Sequence, residues 1–223
     1  MTKVLIIGAT SKVALNTIEM LTKKDNVDLT LVLRNKKKLP RKYLNQKIII
    51  ADAVDYDAIL AAVKGQNIVY ASLAGDVVAQ AKTIVKAMDG AKVKRLIWTS
   101  STGIYNEIPG ELGRWNQVVL GDYYHHYFLA ANVIEKSDLD YTILRPTWMT
   151  NDNEINYETT HRHDPATGTE VSRKSIAAYV TSLIENPTKD IRDSIGINKP
   201  NTQGDRPRDE VMKLNHFYDM KDC

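Results

Sequence analysis

Val4-Leu5-Ile6-Ile7-Gly8-Ala9-Thr10-Ser11-Lys12-Val13-Ala14, near the start of this 223-residue chain, reads as an apolar strand running straight into a loop of small residues and then a helix. A dinucleotide pyrophosphate is held at such a junction by a tight turn, close backbone approach and the positive end of a helix dipole. Gly8 supplies the turn. Ser11 and Ala14 stand where the second and third glycines of a G-x-x-G-x-x-G loop belong, with Thr10, Lys12 and Val13 between them. Ala14 is small enough for helix–strand packing. The Cβ of Ser11 limits how near a phosphate comes, and its hydroxyl is an alternative phosphate ligand. One glycine of three is a weak motif by itself. A plain strand–turn–helix with Thr10 or Ser11 as N-cap therefore stands beside the phosphate-loop reading.

Outward from this junction the chain alternates short β-branched runs with helix-length amphipathic stretches, the pattern of βαβ units. Strands are expected at Lys3–Ile7, Asp28–Leu33, Lys47–Ile50, Ile68–Ser72, Arg95–Ser100 and Tyr141–Arg145, with a short late one near Ser194–Ile197. Helices are expected at Lys12–Lys23, Tyr56–Val63, Val77–Met88, Tyr123–Lys136 and Lys174–Glu185. Nearly continuous apolar runs such as Val4–Ile7 and Arg95–Trp98 suit strands covered on both faces. The expectation is one α/β domain over residues 1–223, a doubly wound parallel sheet of six or seven strands with ligands at the carboxyl ends. Two stretches read as irregular, Ile104–Leu120 and Met149–Glu170.

Composition narrows the classes. Hydrophobic residues make up 43% of the chain, enough for a core. No apolar run reaches the roughly 18 residues of a membrane span, and no charged segment leads into a long apolar one at the start. The single cysteine, Cys223, excludes an internal disulfide framework. These features predict a cytoplasmic protein without a membrane partner. A formal charge of +3 is too small to suggest nucleic acid. The expected state is monomer or homodimer.

The second strand ends in Leu33-Arg34-Asn35-Lys36-Lys37-Lys38. An NAD-binding chain usually places a carboxylate there for the ribose hydroxyls, whereas a guanidinium suits a 2′-phosphate. Arg34 therefore points to NADP(H) in preference to NAD(H); Lys37 and Lys38 read as a solvated turn. Asp28 falls at the wrong end of its strand to meet a cofactor. His125, His126, His161 and His163 lack a metal-ligand spacing, so no metal is expected.

With these pieces placed, the chain resembles the short-chain dehydrogenase/reductase superfamily, in its atypical NAD(P)H-binding branch of NmrA-like proteins and small flavin or quinone reductases. The resemblance rests on Gly8–Ala14, Arg34, Ala51-Asp52, Ala71-Ser72-Leu73-Ala74, Thr99–Tyr105, Leu139–Pro146 and Val171–Ala177, in that order. It implies that Asp52 bonds the adenine amine, with Ala53 lining that pocket. It implies that Ala71, Ser72 and Leu73 border the adenine-side ribose and Pro146 the nicotinamide. It also implies that Ser101 bonds a substrate oxygen; as a residue, Ser101 equally suits a strand-end cap.

Reductases of that superfamily use Tyr-x-x-x-Lys, in which the lysine binds the nicotinamide ribose and lowers the tyrosine pKa. Here the corresponding helix reads Tyr123-Tyr124-His125-His126-Tyr127-Phe128. Tyr123 serves as the first member and Tyr127 replaces the lysine. Tyr123 is then a hydrogen-bond donor but a poor base, unless the aromatic cluster is simply helix packing. Trp115, Trp148, Met149 and Tyr157 read either as an apolar substrate wall or as lid packing, and Tyr105 as a substitute catalytic group or packing. The reading is an NADPH-dependent oxidoreductase for a small carbonyl, quinone or flavin-type acceptor. The alternatives are a non-catalytic NADP(H) redox sensor and, more weakly, an epimerase/dehydratase-like enzyme.

Overall fold

The computed structural model describes residues 1–214; Cys223 lies outside the described residues. The strands are β1 (Thr2–Ile7), β2 (Val27–Leu33), β3 (Lys47–Ile50), β4 (Ile68–Ser72), β5 (Arg95–Thr99), β6 (Asp140–Pro146), β7 (Trp148–Thr150), β8 (Glu158–Thr160), β9 (Glu170–Ser172) and β10 (Asp193–Asn198). The helices are α1 (Lys12–Leu21), α2 (Tyr56–Val63), α3 (Val77–Ala91), α4 (Gly110–Glu135), α5 (Arg173–Glu185) and α6 (Asp209–Leu214). The main sheet runs β3-β2-β1-β4-β5-β6-β10-β8. Its first seven strands pair in parallel and β8 joins β10 antiparallel. β7 and β9 form a separate parallel pair.

Side-chain alternation along the strands builds two cores. Leu5, Ile7, Leu96 and Trp98 pack with α2, α3 and α4, while Val4, Ile6 and Ile97 pack with α1 and α5. β4 and β5 are buried along their whole length, as strands covered on both faces must be. Ser11, Asp55, Asp76 and Ser172 cap α1, α2, α3 and α5 by accepting an N–H from the first turn. Such caps hold each helix entry just beyond a strand end.

The expected strands and crossover helices are present, with three corrections. The sheet has eight strands, because Glu158–Thr160, expected to be irregular, pairs with β10. β7 and β9 likewise occupy the two ends of that stretch. The larger correction is α4, which begins at Gly110 rather than Tyr123. Pro109 precedes it and suits a helix entry as well as a loop, so Pro109, Gly110 and Gly113 were a misleading signal. Leu112, Asn116 and Tyr124 are buried on one face of this helix, and that burial outweighs the weak helix propensity of glycine. Although α4 has 26 residues, no helix among the described residues is long and apolar enough to cross a membrane.

β8 is held by its neighbours more than by its length. Thr160 lies directly over Gly196, where a Cβ would come within 2.3 Å of the Thr160 hydroxyl. His161 Nδ1 pairs with Asp193 Oδ2 at 2.6 Å, and the Asp193 carboxylate raises the imidazole pKa above its ordinary 6.5. A raised folded-state pKa contributes stability fully below the unfolded value, and the contribution fades as pH climbs through the folded one. The wild type should therefore lose melting temperature between about pH 6 and 8 more steeply than His161→Gln. The difference will be small because the imidazole is exposed. Superimposable melting curves of the two proteins across that range would exclude the clasp.

Candidate functional site

β1 and β4 are adjacent in the sheet but lie at the point where strand order reverses, and ligands of open α/β sheets bind at the carboxyl ends of strands there. A cleft of about 720 Å³ opens at this point. It runs from the Gly8 loop, past Arg34 and Asp52, to the face of α4 and the residues after β6.

Gly8 has φ +80°, and a Cβ on it would meet the Ser72 carbonyl oxygen at 2.2 Å. The turn thus lies flat against the end of β4 and leaves its outer side to the cleft. Ser11, not Thr10, caps α1: its Oγ accepts the Ala14 N–H at 3.1 Å. The same hydroxyl donates to Ser72 Oγ at 2.7 Å. In this structure the Ser11 proton is directed at Ser72, and Ser11 itself lines the cleft. The start of α1 and Lys12 line the same cleft, where the backbone N–H groups of a helix N-terminus suit an anion. The cradle at Gly8 fits a pyrophosphate: its shape depends on the absence of a side chain, as close backbone approach requires.

Arg34 lines the cleft at the end of β2. The sequence suggested no acidic partner for it, but its Nη1 lies 4.0 Å from Asp52 Oδ2, both side chains being about half exposed. The other Asp52 oxygen accepts the Val54 N–H at 3.2 Å, so Asp52 is held by its own turn. Asn35 caps the short helical turn Lys36–Lys38. Ala53, Ser72, Leu73 and Pro146 also line the cleft, as do Thr10 and Val13. Ala71 does not: it is fully buried in β4 and packs in the core. The strand alternates at this point, so Ala71 faces helices while its successor reaches the cleft.

At the far end stand Ser101 and Tyr123, brought together as expected. Burial pushes the Tyr123 phenol above the usual tyrosine range, opposed by hydrogen bonding with Tyr127 and Ser101. Tyr123 is therefore neutral near pH 7, able to donate a hydrogen bond and poor as a base. Tyr127 stacks on it with ring centroids 4.2 Å apart and donates its hydroxyl to Leu73 O at 3.0 Å. The phenol at 127 supplies no charge to the site, and its proton is directed at the β4–α3 connection.

The aromatic wall is only partly as expected. Trp148 and Met149 line the cleft, and Trp115 stacks behind Trp148 at 5.4 Å. Tyr157 instead packs edge-on against Tyr179. Tyr105 is also elsewhere: its hydroxyl donates to Glu135 at 2.7 Å, and Arg145 and Arg162 lie over its ring, so it is no substitute catalyst. Sequence reading missed the α4 contribution of Leu112, Asn116 and Leu120. Their i, i+4, i+8 spacing carries the signal of a single helical face.

Beneath the Ser101 loop lies a buried ion pair that the sequence did not disclose. Glu107 accepts the N–H groups of Gly103 at 3.0 Å and Tyr105 at 2.9 Å and pairs with Arg145. Arg145 also donates to the Ser194 and His161 carbonyls at 3.1 and 3.0 Å. Among the described residues no group of three or more His, Cys, Asp or Glu side chains gathers as a metal site would.

A doubly wound sheet with a glycine-turned loop and a cleft at its switch point defines a Rossmann-type nucleotide-binding protein. The chain belongs to the NAD(P)H-binding family, whose model matches residues 8–187. A Rossmann-fold NAD(P)-binding family protein from Shigella flexneri is 40% identical, with a TM-score of 0.82 over 93% of this chain and 98% of that one. A short-chain dehydrogenase/reductase from Veillonella parvula in complex with NADP is 27% identical, with a TM-score of 0.86 over 92% and 98%. ChuY, an anaerobillin reductase from Escherichia coli O157:H7, shares the fold at 20% identity, with a TM-score of 0.79 over 91% and 100%. No curated protein matches the chain.

Proposed function

We propose that this chain is an NADPH-dependent oxidoreductase whose acceptor is a small quinone- or flavin-type ring. One observation carries the reading: a single cleft joins the Gly8 loop and Arg34 to an apolar aromatic end containing Ser101 and Tyr123. In this reading Arg34 takes the 2′-phosphate, exchanging its 4.0 Å contact with Asp52 for a shorter bidentate one. Asp52 and Ala53 border the adenine, and Ser72, Leu73 and Pro146 the riboses and nicotinamide. When bound, the nicotinamide supplies hydride. Ser101, turning its hydroxyl from the Thr102 carbonyl that it meets at 3.1 Å, and the neutral Tyr123 donate hydrogen bonds to an acceptor oxygen, while Leu112, Leu120 and Trp148 exclude water. A quinone or flavin is favoured over an aliphatic carbonyl because burial holds Tyr123 as a high-pKa phenol. Reduction of an aliphatic carbonyl depends far more on proton transfer from a group with a pKa near the working pH.

NADPH should bind more tightly than NADH by a factor of roughly 10–100, the worth of a charge-assisted hydrogen bond. Arg34→Asp should remove or reverse that preference, as read by calorimetric titration of both cofactors. Equal affinities in the wild type would end the 2′-phosphate assignment. Turnover is then assayed with menadione, free flavin and a panel of aldehydes. NADPH binding without oxidation by any acceptor would instead support a redox sensor, the reading that the absence of the dyad lysine favours.

A further inference from the structure

We infer that Asn116 is the residue that selects acceptors carrying a ring carbonyl, by donating a hydrogen bond to that oxygen from its Nδ2. The inference rests on the reading of the α4 end of the cleft as the acceptor site.

Asn116 lies on the inner face of α4, between Leu112 and Leu120, and is 1% exposed. All three line the cleft. A buried primary amide among apolar side chains is costly unless its polar groups are matched, so its hydrogen bonds define what it does. Trp148 Nε1 donates to Asn116 Oδ1 at 3.0 Å. An indole N–H is a donor only, so this contact fixes the orientation of the amide: the oxygen must face Trp148 and the NH₂ must face away. The Nδ2 group makes no hydrogen bond among the described residues, and it is not one of the atoms sealed from solvent without a partner. A donor with locked orientation thus borders the cleft and awaits an acceptor atom. Trp148 is itself backed by Trp115, which supports the indole that holds the amide.

The chemistry of the ligand follows. It presents a carbonyl-type oxygen, because the group that Asn116 turns away from Trp148 is an N–H donor. It is flat and apolar around that oxygen, because Leu112, Leu120 and Trp148 border the same space. A quinone ring or the dione edge of a flavin has both features, and a second oxygen of such a ring is available to Tyr123 and Ser101.

The test uses menadione as probe with the NADP⁺-loaded protein, reading its Kd from quenching of tryptophan fluorescence, which requires no turnover. Asn116→Asp keeps an oxygen for Trp148 but replaces the donor with a negative oxygen. It should raise the menadione Kd tenfold or more and leave NADPH affinity within twofold of wild type. Naphthalene, the same ring system without oxygens, should inhibit menadione binding equally in both proteins. Asn116→Ala, which removes the donor without adding charge, should raise the menadione Kd three- to tenfold and decides the matter if Asn116→Asp does not fold. Unchanged menadione affinity in a folded variant, or an equal loss for naphthalene, would overturn the inference. Failure of the wild type to oxidise NADPH with menadione, free flavin or any aldehyde, with the Kd shift intact, would remove the reductase reading and leave the Asn116 assignment standing.

Discussion

Gly8→Ala is expected to weaken NADPH binding at least 100-fold, about 2.7 kcal/mol, in a protein that keeps its secondary structure. The change adds one carbon, yet that carbon has nowhere to go. It would lie 2.2 Å from a backbone carbonyl at the end of β4, and no side-chain rotation relieves a backbone contact. The residue also holds φ +80°, a region costing a non-glycine residue roughly 1–2 kcal/mol. Relief requires the loop to lift away from Ser72, which breaks the Ser11–Ser72 bridge and moves the N–H groups at the start of α1. Calorimetric titration of a variant with wild-type circular dichroism is the measurement. Undiminished affinity would falsify the placement of the pyrophosphate at this loop.

The second large effect concerns stability. Glu107→Leu should cost about 3–5 kcal/mol, the usual consequence of stranding one member of a buried ion pair. Arg145 is fully buried and Glu107 nearly so, and water cannot reach the guanidinium to replace the lost carboxylate. Two backbone N–H groups, of Gly103 and Tyr105, lose their acceptor as well. Against a typical domain stability of about 5–15 kcal/mol, this approaches the limit of folding. Arg145→Met in the same chain should recover part of the loss by removing the stranded charge, but not all, because Arg145 also ties down Ser194 and His161. Urea denaturation of the single and double variants reads the difference. A loss below about 1 kcal/mol for Glu107→Leu would show that the pair adds little, as exposed pairs do.

How far the sequence disclosed this site depended on the kind of interaction involved. Gly8, Arg34 and Tyr123 were legible because each sits at a strand end or a fixed helical spacing, and local chain direction determines where such residues point. Ala71 was misassigned by one residue of strand alternation, since β4 reaches the cleft only at its last member. The α4 extension was hidden by Pro109, Gly110 and Gly113, residues that mark helix entries and loops alike. Its cleft-facing residues become visible only when the periodicity is carried back through them. The Glu107–Arg145 pair joins positions 38 residues apart, and Asn116 meets Trp148 across 32. No local pattern encodes such contacts, because they arise from how β6 meets the loop after β5 and how α4 meets β7 in three dimensions.

β8 has a further consequence for how the protein behaves when stressed. An open sheet offers unpaired backbone groups at its two margins, each a template for a strand from another molecule. Here both margins are short: four residues in β3 and three in β8. β8 screens the six-residue β10, whose Ser194–Asn198 run is wholly buried. Beyond its backbone pairing it is anchored at Gly196, Asp193, Arg145 and Asn198. Detachment of this one segment, well before global unfolding, would turn a protected margin into an adhesive one. Loosening the three residues of β8 is therefore expected to raise aggregation without lowering the stability of the core.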